Sequence, residues 1–277
     1  MSSVEHPIAL NSELHHAFSE RAAWHTAVVI SGVLTEVRSE TGQVFSSEGV
    51  GIGSACVWKG KKLILTAKHV VEGATPNDIR FFLRQDRPID WNARPSRPTA
   101  ERAIVLAIQE IVRCPSEDLA CVVLAANESG RRLEFVDLPR DFGDVPPDGS
   151  GTLILGAPTE KVVAITEGQR PDGQRWRSCA VQVTGSWAVV SAEAPRFFPS
   201  SFDPGRHFLL RYDPVEEGSL PFGFSGTGVW YQRRRNQSVW APDPVLAGVQ
   251  VRWHRESKLM IAIRSGVVRQ FLEEFIV

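Results

Sequence analysis

Two successive sets of short β-rich runs, parted by a polar stretch over 126–151 that carries Pro139, Pro146 and Pro147, constrain this chain more than any other feature. The first set falls at 28–37, 51–58, 62–66, 79–83, 103–112 and 119–124. The second falls at 152–155, 162–165, 179–183, 187–190, 207–212, 228–231, 245–251 and 259–263. Each run is rich in β-branched or aromatic residues and is bounded by polar, Gly or Pro segments, as strands are. Helical spacing occurs only at the two ends. Asn11 or Ser12 can cap a helix over 11–23 with Leu14, Phe18 and Ala22 on one side, and Val268, Phe271, Leu272 and Phe275 form a stripe near the C-terminus. No internal repeat is present. In a chain of 277 residues this layout predicts an all-β architecture of two packed barrels sharing a cleft, over about 26–126 and 151–264. A helical extension over 1–25 precedes them and a helix over 265–276 closes the chain.

Composition narrows the function classes. Lys and Arg (31) balance Asp and Glu (32), so bulk positive charge for nucleic-acid binding is missing. A hydrophobic fraction of 43% excludes a disordered chain, and no run reaches the roughly 20 apolar residues that cross a bilayer. The first residues, Met1 to His6, lack a basic segment leading into an apolar one, which predicts a cytoplasmic protein with no membrane partner. Cys56, Cys114, Cys121 and Cys179 are irregularly spaced without CxxC, so reduced structural thiols are expected and no metal site. His15 and His16, adjacent on the expected helix, point about 100° apart and chelate poorly even with His25 nearby. Arg233, Arg234 and Arg235 read as a polar hairpin tip.

Three segments carry chemistry. The block 51–58, GIGSACVW, leads into LILTAKHVV at 63–71 and places His69 just beyond a buried strand, where a neutral imidazole can act as general base. Alone, it reads equally as a satisfied surface or core histidine. In SEDLACVVL, 116–124, Asp118 stands at the mouth of an apolar strand and needs a hydrogen-bond donor such as an imidazole. An isolated Asp is commonly just a turn residue there, and Glu117 competes for any role. In PFGFSGTGVW, 221–230, glycines on both sides of Ser225 permit a tight turn that exposes its hydroxyl and lets the Gly223 and Ser225 N–H groups converge.

Together the three blocks, in the order His, Asp, Ser, resemble the chymotrypsin-like serine peptidases, in particular the Deg-type and other bacterial trypsin-like peptidases. Gaps of 49 and 107 residues suit two successive six-stranded antiparallel barrels. Gly156-Ala157-Pro158 and Gly248-Val249-Gln250 resemble the family's segments early in the second barrel and beside the substrate. The resemblance implies Ser225 as nucleophile, His69 as base, Asp118 as its orienting carboxylate and the amides of Gly223 and Ser225 as oxyanion hole. It places Ser219 and Leu220 at the floor of the primary pocket and Val249, Gln250 and Val251, followed by Arg252, on its wall with 260–263, implying a small or apolar P1 side chain. Glu216 and Glu217, one register away, would favour Arg or Lys instead. No cofactor is implied; a protein or peptide substrate is, and so is control by a protein partner. Phe224 stands where many secreted members carry Asp, so the loop around Ser225 is expected to be ordered by packing of Phe222 and Phe224, without N-terminal cleavage. Thr227 replaces a common glycine. A catalytically degenerate member serving as a protein-binding module is the alternative.

Overall fold

Strand formation follows the runs of β-branched and aromatic residues closely. The computed structural model describes residues 17–19, 21–22, 25–38, 44–83, 106–126, 134–156, 162–169, 175–181, 184–195, 198, 201–214, 220–232 and 244–276. In the first half lie β1 (Thr26–Arg38), β2 (Val44–Trp58), β3 (Lys61–Thr66), β4 (Ile79–Leu83), β5 (Ile108–Arg113) and β6 (Ala120–Leu124). They form one antiparallel sheet in the order β4-β1-β2-β3-β6-β5. A short β7 (Val136–Asp137) adds to β2 in parallel, Cys56 beside Val136. Residues 84–105 lie outside the described set, and among the described residues no ladder joins β4 to β5. Of the run at 103–112, residues 103–105 lie outside the described set, and the strand begins at Ile108.

The second half holds β8 (Gly151–Gly156), β9 (Val162–Gln169), β10 (Arg175–Val181), β11 (Thr184–Ser191), β12 (His207–Arg211), β13 (Gly228–Gln232), β14 (Pro244–His254) and β15 (Leu259–Arg264). Six of these close into a barrel, β11-β12-β15-β14-β13-β8, while β9 and β10 pair as a separate hairpin. Closure removes the open edges that a six-stranded sheet would otherwise present. The architecture is all-β with few helices, as the sequence predicts.

Burial on both faces explains why β3 and β6 read as continuous apolar runs: Leu63 to Leu65 and all of β6 are buried. A second core, within the barrel, contains Ile154, Phe208, Leu210, Tyr212, Phe224, Val229 and Met260. The 126–151 stretch is more than a polar connection. Leu138 is fully buried on a single helical turn, Leu138–Asp141, and Phe142 packs edge-on against Trp58 at 6.2 Å while bridging to Leu246. The Arg269 guanidinium lies over the Phe142 ring, and the Ser265 hydroxyl donates to the Gly143 carbonyl at 2.6 Å. This short segment therefore joins β2, β14 and the C-terminal helix Ser265–Phe275. That helix buries Val268, Phe271 and Leu272, whereas Phe275 is exposed at its end rather than part of the buried stripe. At the N-terminal end, 17–19 and 21–22 are helical and Phe18 stacks on Trp187; residues 11–16 fall outside the described set.

Truncating a large aromatic at such a junction removes its apolar transfer energy and leaves a cavity. Phe142→Ala is expected to lower unfolding free energy by about 3 kcal/mol in urea titration.

Candidate active site

His69 sits on a 3-10 turn, Lys68–Val71, directly after β3. Buried Val70 and Val71 pin the turn to the core, and its orphan carbonyls are met by Arg113 from β5. The Arg113 Nη2 donates to the Val71 and Ala74 carbonyls, both at 2.6 Å. Lys68 Nζ donates to the Cys114 carbonyl at 3.1 Å, which ties the turn to the loop that carries Asp118.

Asp118 grips His69 twice. Its Oδ1 accepts the His69 backbone N–H at 3.0 Å, and its Oδ2 lies 2.7 Å from Nδ1. An ionised carboxylate only accepts, so Nδ1 carries a hydrogen, and in the neutral ring Nε2 is the nitrogen that keeps its lone pair. The His69 side chain is 49% exposed and that of Asp118 is 23% exposed, so the base reaches solvent while its partner is shielded. Burial pushes the Asp118 carboxyl up, but the His69 ring hydrogen bond, the His69 charge, the His69 N–H and the Arg252 charge together hold it below its ordinary value.

Ser225 lies in the turn that leads into β13. Phe224 is fully buried in the second barrel, its ring 5.8 Å from that of Tyr212 and packed on Gly156. Gly223 and Gly226 adopt φ of 88° and 91°, values open to glycine at little cost. Four bonds hold the turn: Phe224 N–H to Pro221 O, Thr227 N–H to Phe224 O, Gly226 N–H to Gln250 O, and Gln250 N–H to Thr227 O. The Thr227 hydroxyl also accepts the Leu155 N–H at 3.1 Å, a role a glycine could not fill. Among the described residues, the N–H groups of Gly223 and Ser225 donate to no partner.

The two barrels meet at this turn. The Ser225 carbonyl accepts the Ile52 N–H of β2 at 2.8 Å. Gly226 sits against the Ile52 carbonyl, the Thr66 hydroxyl and the Ala67 nitrogen, two residues before His69, with no room for a Cβ. Gly51 fills the remaining gap: a Cβ there would lie 2.7 Å from the Ser225 carbonyl oxygen and 2.5 Å from a Val70 methyl. The His69 turn and the Ser225 turn are thus separated by bare backbone.

The structure brings His69, Asp118, Gly223 and Ser225 to this junction. Val249, Gln250 and Val251 are buried on β14 behind the Ser225 turn, and among the described residues the Gln250 Oε1 has no hydrogen-bond partner. Leu220 is exposed, and Ser219, Glu216 and Glu217 lie outside the described residues, as do 157–158 and 233–235. One expectation is corrected: Phe222 does not order the turn by burial. It is 53% exposed, and its ring meets Trp253 edge-on at 5.9 Å, so the buried anchor of the turn is Phe224 alone of the two. The competition between neighbouring carboxylates is also resolved, since Glu117 points away from His69 to His207. Sequence reading missed the Glu117 partners, the Arg113 brace and the spacer role of Gly51. Only the glycine run around Gly51 gave any local signal.

Cys56, Cys114 and Cys121 are free and buried, and burial, with the neighbouring Cys121 or Glu110 charge, pushes the Cys56 and Cys121 thiols up. His25 is buried, its Nδ1 2.7 Å from the Glu134 carbonyl. Among the described residues no three His, Cys, Asp or Glu side chains converge as metal ligands, and no helix is long and apolar enough to cross a membrane.

The fold defined by these two β units is chymotrypsin-like. Its similarity to solved structures spans nearly the whole chain. An inactivated protease paralogue of the scabies mite superposes with a TM-score of 0.55 at 15% identity, covering 93% of this chain and 95% of that one. Granzyme C superposes with a TM-score of 0.54 at 14% identity, covering 92% and 95%. No protein-family model and no curated sequence matches the chain.

Two outcomes follow from the geometry. With its folded pKa below the unfolded value of about 3.9, Asp118 gives stability that is complete above that value and is lost as pH falls through the folded pKa. Asp118→Asn should therefore flatten the decline of Tm below about pH 4 seen in the wild type. Gly51→Ala should destabilise by about 1–3 kcal/mol in urea titration, since backbone cannot yield to the new methyl as a side chain would.

Proposed function

We propose that the protein is a serine endopeptidase acting on a protein or peptide substrate in the cytoplasm, related to the bacterial trypsin-like peptidases and controlled by a protein partner. The observation that carries this reading is the two-point Asp118–His69 contact beside a docked Ser225 turn. The Ser225 Oγ attacks the scissile carbonyl as the lone pair on His69 Nε2 takes its proton. The same nitrogen then returns the proton to the leaving amine. Asp118 holds the tautomer and stabilises the imidazolium, while the free N–H groups of Gly223 and Ser225 receive the developing oxyanion. Water repeats the sequence on the acyl enzyme. Leu220, Val249 and Val251 favour a small or apolar P1 residue.

A likeness in fold alone does not carry catalysis, since one neighbour is described as an inactivated protease paralogue. The reading as a binding module has no comparable support: this chain keeps the serine, the histidine, the carboxylate and both amide donors.

Incubation with a fluorophosphonate probe is the direct test. The wild type is expected to acquire one adduct on Ser225 by mass spectrometry, and Ser225→Ala none. Peptide hydrolysis should fall at least about 10⁴-fold in Ser225→Ala and His69→Ala, with the double variant no worse than either single one. Absence of an adduct on the wild type, or equal labelling of Ser225→Ala, overturns the proposal.

A further inference from the structure

Glu117 and Asp118 are consecutive, yet their carboxylates serve different barrels. Asp118 turns to His69 in the first. Glu117, with its side chain only 8% exposed, crosses to the second, where Oε2 lies 3.0 Å from His207 Nε2 and Oε1 lies 2.5 Å from Arg206 Nε. The His207 side chain is equally buried, at 9%. Its Nδ1 accepts the Asp203 N–H at 3.0 Å, so the proton resides on Nε2 and is donated to Glu117. Arg206 adds a second link through Nη2, which donates to the Ser116 hydroxyl at 3.1 Å.

The receiving end is rigid. The His207 ring stacks on Phe202 at 6.0 Å. Arg264 of β15 donates through Nε to the carbonyls of Pro204 and His207, and its backbone N–H bonds the Arg206 carbonyl. The giving end is equally short: the Cys114 N–H donates to the Leu119 carbonyl at 2.8 Å, closing the loop that holds Ser116, Glu117 and Asp118. A buried carboxylate held at both oxygens, by His207 Nε2 and Arg206 Nε, tolerates little movement, because displacement leaves charge unpaired away from water.

We infer that Glu117 is a positioning residue, fastening the β5–β6 loop to Arg206 and His207 so that Asp118 holds His69 in line with the Ser225 turn of the other barrel. The inference rests on the proposed triad, but its test does not depend on turnover. Misplacement of a base by a fraction of an ångström to 1 Å costs rate without unfolding anything.

The experiment uses the full chain as wild type, Glu117→Ala, Glu117→Gln, His207→Ala and the Glu117→Ala/His207→Ala pair. Two readouts are taken: the far-downfield proton resonance of His69 Nδ1–H, assigned by its loss in Asp118→Asn, and the second-order rate of acylation by the fluorophosphonate probe. The expected result is a shifted or broadened resonance and an acylation rate about 10- to 100-fold lower in Glu117→Ala. The double variant should match that single one, and Glu117→Gln, which still accepts from His207, should fall in between. A Glu117→Ala protein with the wild-type resonance and rate overturns the inference, as does full activity in Glu117→Gln together with a wild-type resonance in His207→Ala should Glu117→Ala fail to fold. If the wild type itself is not acylated, the endopeptidase reading fails, while a resonance altered in the Glu117 variants still supports the positioning role and an unaltered one removes it.

Discussion

A single peptide hydrogen bond, from the Ile52 N–H to the Ser225 carbonyl, fixes the point at which the two barrels share a site. Everything that could react depends on it. His69 and Asp118 belong to the first barrel and Ser225 to the second, so their relation is set by contacts between units rather than within one. Side chains would make such contacts adjustable. At the Ser225 turn Gly51 and Gly226 remove them, and backbone meets backbone at distances a methyl group would violate. Packing of this kind transmits small displacements instead of absorbing them.

The Ser225 turn owes its order to an apolar anchor. Phe224 is fully buried against Tyr212 and Gly156, and full burial of a side chain of that size is worth about 1.5–3 kcal/mol. An ionic anchor would titrate and would be screened by salt. A phenyl ring does neither, so the turn keeps its conformation wherever the barrel itself is folded. Three of the four bonds use donors of the turn itself, the N–H groups of Phe224, Gly226 and Thr227, while among the described residues the two N–H groups flanking Phe224 donate to no partner.

Strand positions were legible because β-branched runs bounded by Gly and Pro are a local signal, and β4 and β13 fall within a residue of where the runs place them. The His69–Asp118 contact and the tight turn at Ser225 were legible for a different reason: each residue is chemically capable and abuts an apolar strand or stands between glycines. What the sequence hid are relations over long separations. Ser54, buried and without a side-chain hydrogen-bond partner among the described residues, lies beside Gly228, and nothing in either segment announces the other. Glu117 and His207 are likewise 90 residues apart. The role of 126–151 was hidden too, because Leu138 and Phe142 stand singly among polar residues and acquire a purpose only against Trp58 and Leu246. Periodicity reports a face of a strand or helix. It does not report a lone aromatic wedged between two barrels.

The arginines explain how a chain with no excess of positive charge can hold its loops so firmly. Arg113 closes the turn after His69 through two carbonyls, and Arg264 does the same for the segment before β12. Arg206 reaches a carboxylate and a hydroxyl on the opposite barrel. A guanidinium presents several donors in one rigid plane, so one side chain can satisfy neighbouring acceptors that a lysine ammonium could meet only with greater loss of freedom. The three guanidiniums are spent on loop carbonyls, the Glu117 carboxylate and the Ser116 hydroxyl, so each fastens chain to chain at a loop that carries or braces the candidate site.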